Sequence, residues 1–434
     1  MKNTSWILIG QVIKMLVSFF VGILTVRYLG PSNFGILNYV TSYVTFFTAI
    51  VGLGLNGVII YEFVNNRDHD GKILGTAMLL RFMAGLVSMA LLYFTVLIVD
   101  KRDSTIMTVV ALQCIQLPFL CLDTINYWYQ FRLQSKYPVI AQTVAYVITS
   151  GYKIFLLATG KGVAWFAFAT SLDIILLGLF YYCIWLKHHE NRLKWDKAIA
   201  ERILMACIPF ILANVMVVIY GQVDKVMIKH MLGSDVEVGL YSAAIAICSY
   251  IGFVPAAILD SARPVIAEAK NTNEEVYQIR FKQLVAGIVW ICFAYSIFIT
   301  LLSSIILRIL YGNAYTDANI CLKIAVWYTA FSYLGSARSF WLICEKKNKY
   351  VFAFSTMGAL GNVILNALMI PVWGKEGAAL ATLVTQMLSN FFFPALFKET
   401  RSYAKLVLES IALKDVGLKE LLHPIICRFL RNDN

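Results

Sequence analysis

Apolar runs long enough to cross a bilayer follow one another almost without pause from residue 6 to residue 397. A spanning helix needs about 20 mostly apolar residues, because hydrocarbon offers no partner to an open backbone polar group. Composition agrees: 59% of the chain is hydrophobic and 14% charged, where soluble domains average roughly 45–50% and about 25%. A water-soluble enzyme, a disordered chain and a nucleic-acid binder are excluded. The net charge of +12 would otherwise suggest nucleic acid; here it needs another explanation.

With breaks at charge clusters and Gly/Pro turns, about twelve spans are expected. They lie near 6–29, 35–62, 73–99, 104–130, 138–159, 163–186, 203–228, 238–260, 283–307, 320–343, 351–370 and 376–397. Lys2 followed by an apolar run imitates a signal peptide, but Lys14 interrupts the run and no A-x-A site follows, so a retained first helix is expected. Lys and Arg are unevenly shared between the two sets of loops. The side carrying the chain start, 63–72, 131–137, 187–202, 261–282, 344–350 and the tail holds 24, and the other side eight. The positive-inside rule then puts both termini of this multi-pass membrane protein in the cytoplasm. Much of the positive charge is thus a topology signal, with attraction to anionic membrane lipids as a by-product.

The densest polar stretch, Lys187 to Arg202, divides the chain into two six-span halves. The halves echo each other. Arg27-Tyr28-Leu29-Gly30-Pro31-Ser32-Asn33-Phe34-Gly35 closes the first span, and His230-Met231-Leu232-Gly233-Ser234-Asp235-Val236-Glu237-Val238-Gly239 closes the seventh with one residue inserted. Six is an even number, so the halves would be parallel repeats, the duplicated plan of a secondary transporter. The fold class expected is an all-α polytopic membrane protein of two six-helix parallel repeats. Its parts are an N-terminal bundle at 1–190, a linker at 191–202, a C-terminal bundle at 203–398 and an amphipathic cytoplasmic tail at 399–434.

Ionisable groups inside spans cost roughly 3 kcal/mol each on insertion scales and by default face the interior with a task. The deep bases are Lys14, Arg81, Lys153, Lys225 and Arg338; the deep acids are Asp123, Asp173 and Asp224. Bases exceed acids, so an anionic ligand is expected. Helical spacing gathers these charges onto polar stripes. Gln11, Lys14 and Ser18 share a face of the first span, and Asn38, Thr41, Thr45, Thr48, Gly52 and Asn56 one of the second. Gln116, Asp123 and Tyr127 share a face of the fourth, Tyr146, Ser150 and Lys153 of the fifth, Asn214, Gly221 and Lys225 of the seventh. Such stripes suit a water-lined path, although single hydroxyls also serve as ordinary interhelical contacts.

Catalytic patterns are missing from the sequence. There is no Walker A run, no H-E-x-x-H and no G-x-S-x-G, and the nine cysteines contain no C-x-x-C pair. Gly52-Leu53-Gly54-Leu55-Asn56-Gly57 matches G-x-G-x-x-G but lies within a span, so dinucleotide binding is rejected.

The polar first span, the Arg27–Gly35 run and the Gly52–Gly57 run together resemble the polysaccharide transporter family, the O-antigen and capsule repeat-unit flippases. That family belongs to the multidrug, oligosaccharidyl-lipid and polysaccharide exporter superfamily. The resemblance implies translocation of undecaprenyl-pyrophosphate-linked oligosaccharide from the cytoplasmic to the periplasmic leaflet by alternating access. It implies no cofactor beyond a coupling H⁺ or Na⁺, and polymerase and chain-length proteins of the same pathway as partners. On burial and charge, Lys14, Arg81, Lys153, Lys225 and Arg338 would attract pyrophosphate and acidic sugars. Asn38, Asn56, Gln116, Tyr127 and Asn214 would line the sugar path, and Asp123, Asp173 or Asp224 would take the coupling ion. The rivals are a cation-coupled multidrug antiporter, which an acid-rich cavity would favour, and a membrane polysaccharide polymerase, which would need a long outer loop.

Overall fold

The computed structural model describes residues 2–66, 69–100, 103–188 and 191–413; the side chains of residues 2–13, Asn56, Pro209 and Ala213 fall outside this description. Helices account for nearly all of it, and no strand occurs among the described residues. This follows from the solvent, since a helix satisfies its backbone within one segment. Residues divide into two compact units, Met1–Gly239 and Leu240–Asn434.

The first unit contains α1 (Lys2–Val51), α2 (Leu55–Asn65), α3 (Asp70–Val99), α4 (Ser104–Cys114), α5 (Gln116–Phe119), α6 (Thr124–Phe131), α7 (Lys136–Ala158), α8 (Val163–His188), α9 (Lys197–Leu232) and the first turn of α10 (Asp235–Ser249). The second continues with α11 (Phe253–Thr272), α12 (Glu274–Leu310), α13 (Asn319–Ala325), α14 (Tyr328–Cys344), α15 (Lys349–Met387), α16 (Phe393–Leu396) and α17 (Arg401–Ile411).

Nine helical stretches among the described residues are long and apolar enough to cross a membrane. Two of them, Lys14–Val51 and Lys349–Leu396, run to 38 and 48 residues and each carries a break where the sequence placed a boundary between spans. Gly30 breaks the first at φ 68° and Gly374 the second at φ 59°, conformations open to a residue without Cβ. The expected span 320–343 is not among the nine, because α13 stops at Ala325 and α14 restarts at Tyr328. Apolar side chains open to the outside are what a lipid-facing surface requires. On α3, Leu79, Met83, Leu86, Leu91, Phe94 and Ile98 are exposed, while Gly71, Leu74, Ala77, Gly85 and Val96 face inward.

The stretch 191–202 is docked along α3 rather than standing clear of it. Lys194 N–H donates to the Gly71 carbonyl (3.3 Å), Asp196 N–H to Thr76 Oγ1 (3.0 Å), and Lys72 pairs with Asp196 at 3.6 Å. Gly71 and Gly75 allow this approach; a Cβ at Gly75 would lie 2.8 Å from Lys194 backbone atoms. In the second unit α17 buries Tyr403, Leu406 and Val407 in a core with Phe281, Leu334, Trp341 and Phe354. The apolar face of the tail's first three turns therefore packs on protein, and residues 414–434 lie outside the described set.

Candidate functional site

The stripes expected on the first and fifth spans meet. α1 and α7 pack together, placing Lys14 Nζ 5.4 Å from the centre of the Tyr146 ring, a cation–π distance. The Tyr146 hydroxyl engages Ser18 from α1 and Ser150 from its own helix. One turn further along α7, Lys153 lies within electrostatic reach of Asp173 on α8, whose carboxylate accepts from Thr149 Oγ1 at 3.2 Å. Two lysines, a tyrosine and three hydroxyls thus share one polar strip with a single carboxylate. Such a strip can hold an anion and hydrogen-bond a polyol, and it contains no nucleophile–base pair of a hydrolase.

Arg81 and Asp123, assigned to different tasks from the sequence, are partners. Arg81 is 4% exposed, its Nη1 lies 3.8 Å from Asp123 Oδ2, and it donates to Thr124 Oγ1 at 3.1 Å. Its Nε donates to the Val51 carbonyl at 3.3 Å. The reason is local: the chain unwinds after Val51, with Leu53 at φ 51° and Gly54 at φ 61°, so that while Thr48 and Ile50 still accept from Gly52 and Leu53, the Val51 carbonyl stands at an open helix end. The glycine run thus opens a helix end inside the unit, and a guanidinium closes it. Tyr127 lies one turn beyond Asp123 on α6, partly buried.

Lys225 on α9 donates to Gln222 Oε1 at 2.9 Å, and Ser42 on α1 donates to the same oxygen at 3.3 Å. Asp224, beside Lys225, is buried. Asn214 is exposed on α9. Asn38 gives its amide to the Phe34 carbonyl (2.9 Å) and Gln116 to the Gln113 carbonyl (2.9 Å), each within its own helical neighbourhood. The Asn56 side chain lies outside the described residues. Arg338, in the second unit, is also 4% exposed and stacks over Phe354 at 5.3 Å. It donates to the Ser389 carbonyl and to Ser389 Oγ. Residues 388–392 form a π-turn, whose wide spacing frees carbonyls for such a donor.

Two buried hubs escaped the sequence reading. Asp70 accepts from Trp128 Nε1 (3.0 Å), Arg132 (3.2 Å) and Asn191 (2.7 Å), tying α3 to α6 and the linker. Tyr39 bonds both Asp100 and His230. Neither acid stands in mid-span, so the cost of burial that marked the other charges was not visible for them.

A family model described as polysaccharide biosynthesis protein matches residues 1–270. The chain belongs to that family. A second family model, MatE, matches residues 209–368. Solved structures share the fold at low identity. A lipid II flippase, MurJ, in an inward closed conformation superposes with a TM-score of 0.72 at 16% identity, over 98% of this chain and 96% of that one. An inward-facing multidrug resistance MATE family transporter of the MOP superfamily gives 0.68 at 17%, over 91% and 96%. A MOP superfamily transporter from Pyrococcus furiosus, whose report describes a reversed polarity of its binding pocket, gives 0.62 at 16%, over 94% and 96%. No curated protein matches the sequence. The fold is therefore that of polytopic all-α transporters and flippases, and the protein is a multi-pass membrane protein.

Proposed function

We propose that this protein flips undecaprenyl-pyrophosphate-linked polysaccharide repeat units, of O-antigen or a related glycan, from the cytoplasmic to the periplasmic face of the inner membrane by cation-coupled alternating access. The observation that carries the reading is the strip of Lys14, Tyr146, Ser150 and Lys153, which holds two lysines, one of them beside Asp173, on helices that belong to a polysaccharide biosynthesis family. A pyrophosphate linked to sugar suits it: the phosphates take the lysines, and sugar hydroxyls exchange hydrogen bonds with Ser18, Ser150 and Tyr146. The excess of basic residues on one set of loops supports cytoplasmic termini.

In a strain lacking the gene, surface glycan is expected to disappear while the lipid-linked unit accumulates on the cytoplasmic face. Units reaching the periplasmic face unpolymerised would instead identify a polymerase.

Drug export is the second reading, favoured by the MatE match over residues 209–368. A cationic drug would find two lysines in the first unit's strip, which is the wrong sign for it. Normal glycan with new drug sensitivity in the deletion strain would decide for export.

A further inference from the structure

A cluster of titratable groups outside the polar strip stands at the end of the first unit where α9 terminates. Tyr39, on the second half of α1, is fully buried. Its hydroxyl lies 2.9 and 3.0 Å from the two carboxylate oxygens of Asp100, the residue that caps α3. The same oxygen lies 2.9 Å from His230 Nε2 in the last turn of α9. A tyrosine hydroxyl has one proton and two lone pairs. The Asp100 carboxylate can only accept, so Tyr39 donates there and accepts from His230, which fixes a proton on Nε2. Tyr43 closes the triangle, 3.3 Å from the Tyr39 oxygen and 3.2 Å from Nε2.

The His230 residue is exposed, so its second nitrogen can be protonated from water while Nε2 holds the buried hydroxyl. Adding that proton breaks no bond and displaces nothing. It turns a neutral donor into an imidazolium joined through one phenol to a carboxylate, a charge-assisted chain.

We propose that His230, Tyr39 and Asp100 form a proton-binding site that ties α9 to α1 and α3 more strongly when His230 is charged and leaves them joined only by neutral hydrogen bonds when it is not. The proposal rests on the transport reading for its use: loosening at this end, periplasmic in that reading, would accompany loss of the proton and link proton flow to opening. Its chemistry stands without that reading.

The groups facing the site are few. From α1 come Tyr39 and Tyr43; from the end of α3, Asp100, with Asp103 acting on it from the next turn. From α9 comes Lys229, which acts on Asp100 and pairs with Asp235 of α10 at 2.6 Å. Lys101 and Arg102 lie outside the described residues. Burial pushes the Asp100 carboxyl above its ordinary range, against the Tyr39 hydrogen bond and the positive charges of His230 and Lys229, which pull it down. Protonation of Asp100 therefore weakens the tie from the other side, because a neutral carboxyl no longer completes the chain between opposite charges.

The test is an infrared titration of the full chain in phosphatidylethanolamine–phosphatidylglycerol vesicles, following the Asp100 carboxyl band as identified by its loss in Asp100→Asn. In His230→Gln the midpoint should rise by about 1 pH unit, the shift expected when one facing opposite charge is removed. In Tyr39→Phe it should also rise, because the ionised form loses a hydrogen bond. An Asp100 midpoint identical in wild type and His230→Gln overturns the proposal. Neither readout requires transport, so a shifted midpoint in a protein that moves no repeat unit would leave the site standing and remove the flippase reading.

Discussion

Gly35 and Gly239 meet backbone to backbone. A Cβ on Gly35 would fall on the Asp235 carbonyl oxygen and lie 2.9 Å from the Gly239 nitrogen; one on Gly239 would fall on the Pro31 carbonyl oxygen and lie 3.1 Å from the Gly35 nitrogen. Each glycine thus sits over the carbonyl four residues before the other, and the relation is reciprocal. These are the closing residues of the two runs that echo each other in sequence. Close small-residue contacts of this kind are how helices associate where lipid removes the hydrophobic incentive.

Gly35→Ala and Gly239→Ala should each force the two helix starts apart, at about 1–3 kcal/mol for an overpacked contact. Thermal unfolding in detergent should show both variants well below wild type. Gly22→Ala, where a Cβ meets nothing within 4 Å, should melt with wild type.

Lys153 and Arg338 should separate a transport role from a packing role. Lys153→Met should unfold near the wild-type temperature yet abolish surface glycan at normal membrane levels. Arg338→Met should lose on the order of 2 kcal/mol, the worth of hydrogen bonds to a charged group, and keep its glycan per folded molecule. Wild-type glycan in Lys153→Met would remove that lysine from the substrate path.

For Arg81 the same comparison gives a coupled result. Arg81→Met opens the Val51 carbonyl and leaves Asp123 without its cation, so stability should fall by about 2 kcal/mol or more. Adding Asp123→Asn should recover part of that loss, and a thermal double-mutant cycle measures the coupling. Additive losses would mean that the 3.8 Å pair contributes nothing.

Acid should act on Asp196, the residue capping α9. The Ile199 amide foremost, then Lys72 and the Ala198 amide, hold its carboxyl below the usual range. A depressed folded pKa means stabilisation that is present above the unfolded value, about 3.9, and lost as pH falls through the folded one. Melting temperature should therefore drop between roughly pH 4 and the folded midpoint in wild type. Asp196→Ala should be less stable at neutral pH and flatter across that range.

What the sequence settled by itself is what the solvent dictates. Runs of about 20 apolar residues leave the helix as the only self-satisfied backbone, so most helix positions and the breaks at Gly30 and Gly374 could be read locally, while the interruptions after Val51 and Ala325 inside expected spans could not. The stripes carrying Lys14 and Lys153 were legible for the same reason, since helical period places side chains on a face without knowing the neighbour. Tertiary structure alone decided which faces meet. It joined Arg81 to Asp123 and to an opened helix end, turned Arg338 onto a π-turn, and spent the Asn38 amide on its own helix. It also gathered Tyr39, Asp100 and His230 from three helices far apart in the chain. A buried polar group must find a partner, but the partner's identity depends on helix packing, and packing between apolar surfaces leaves no periodic mark in either sequence.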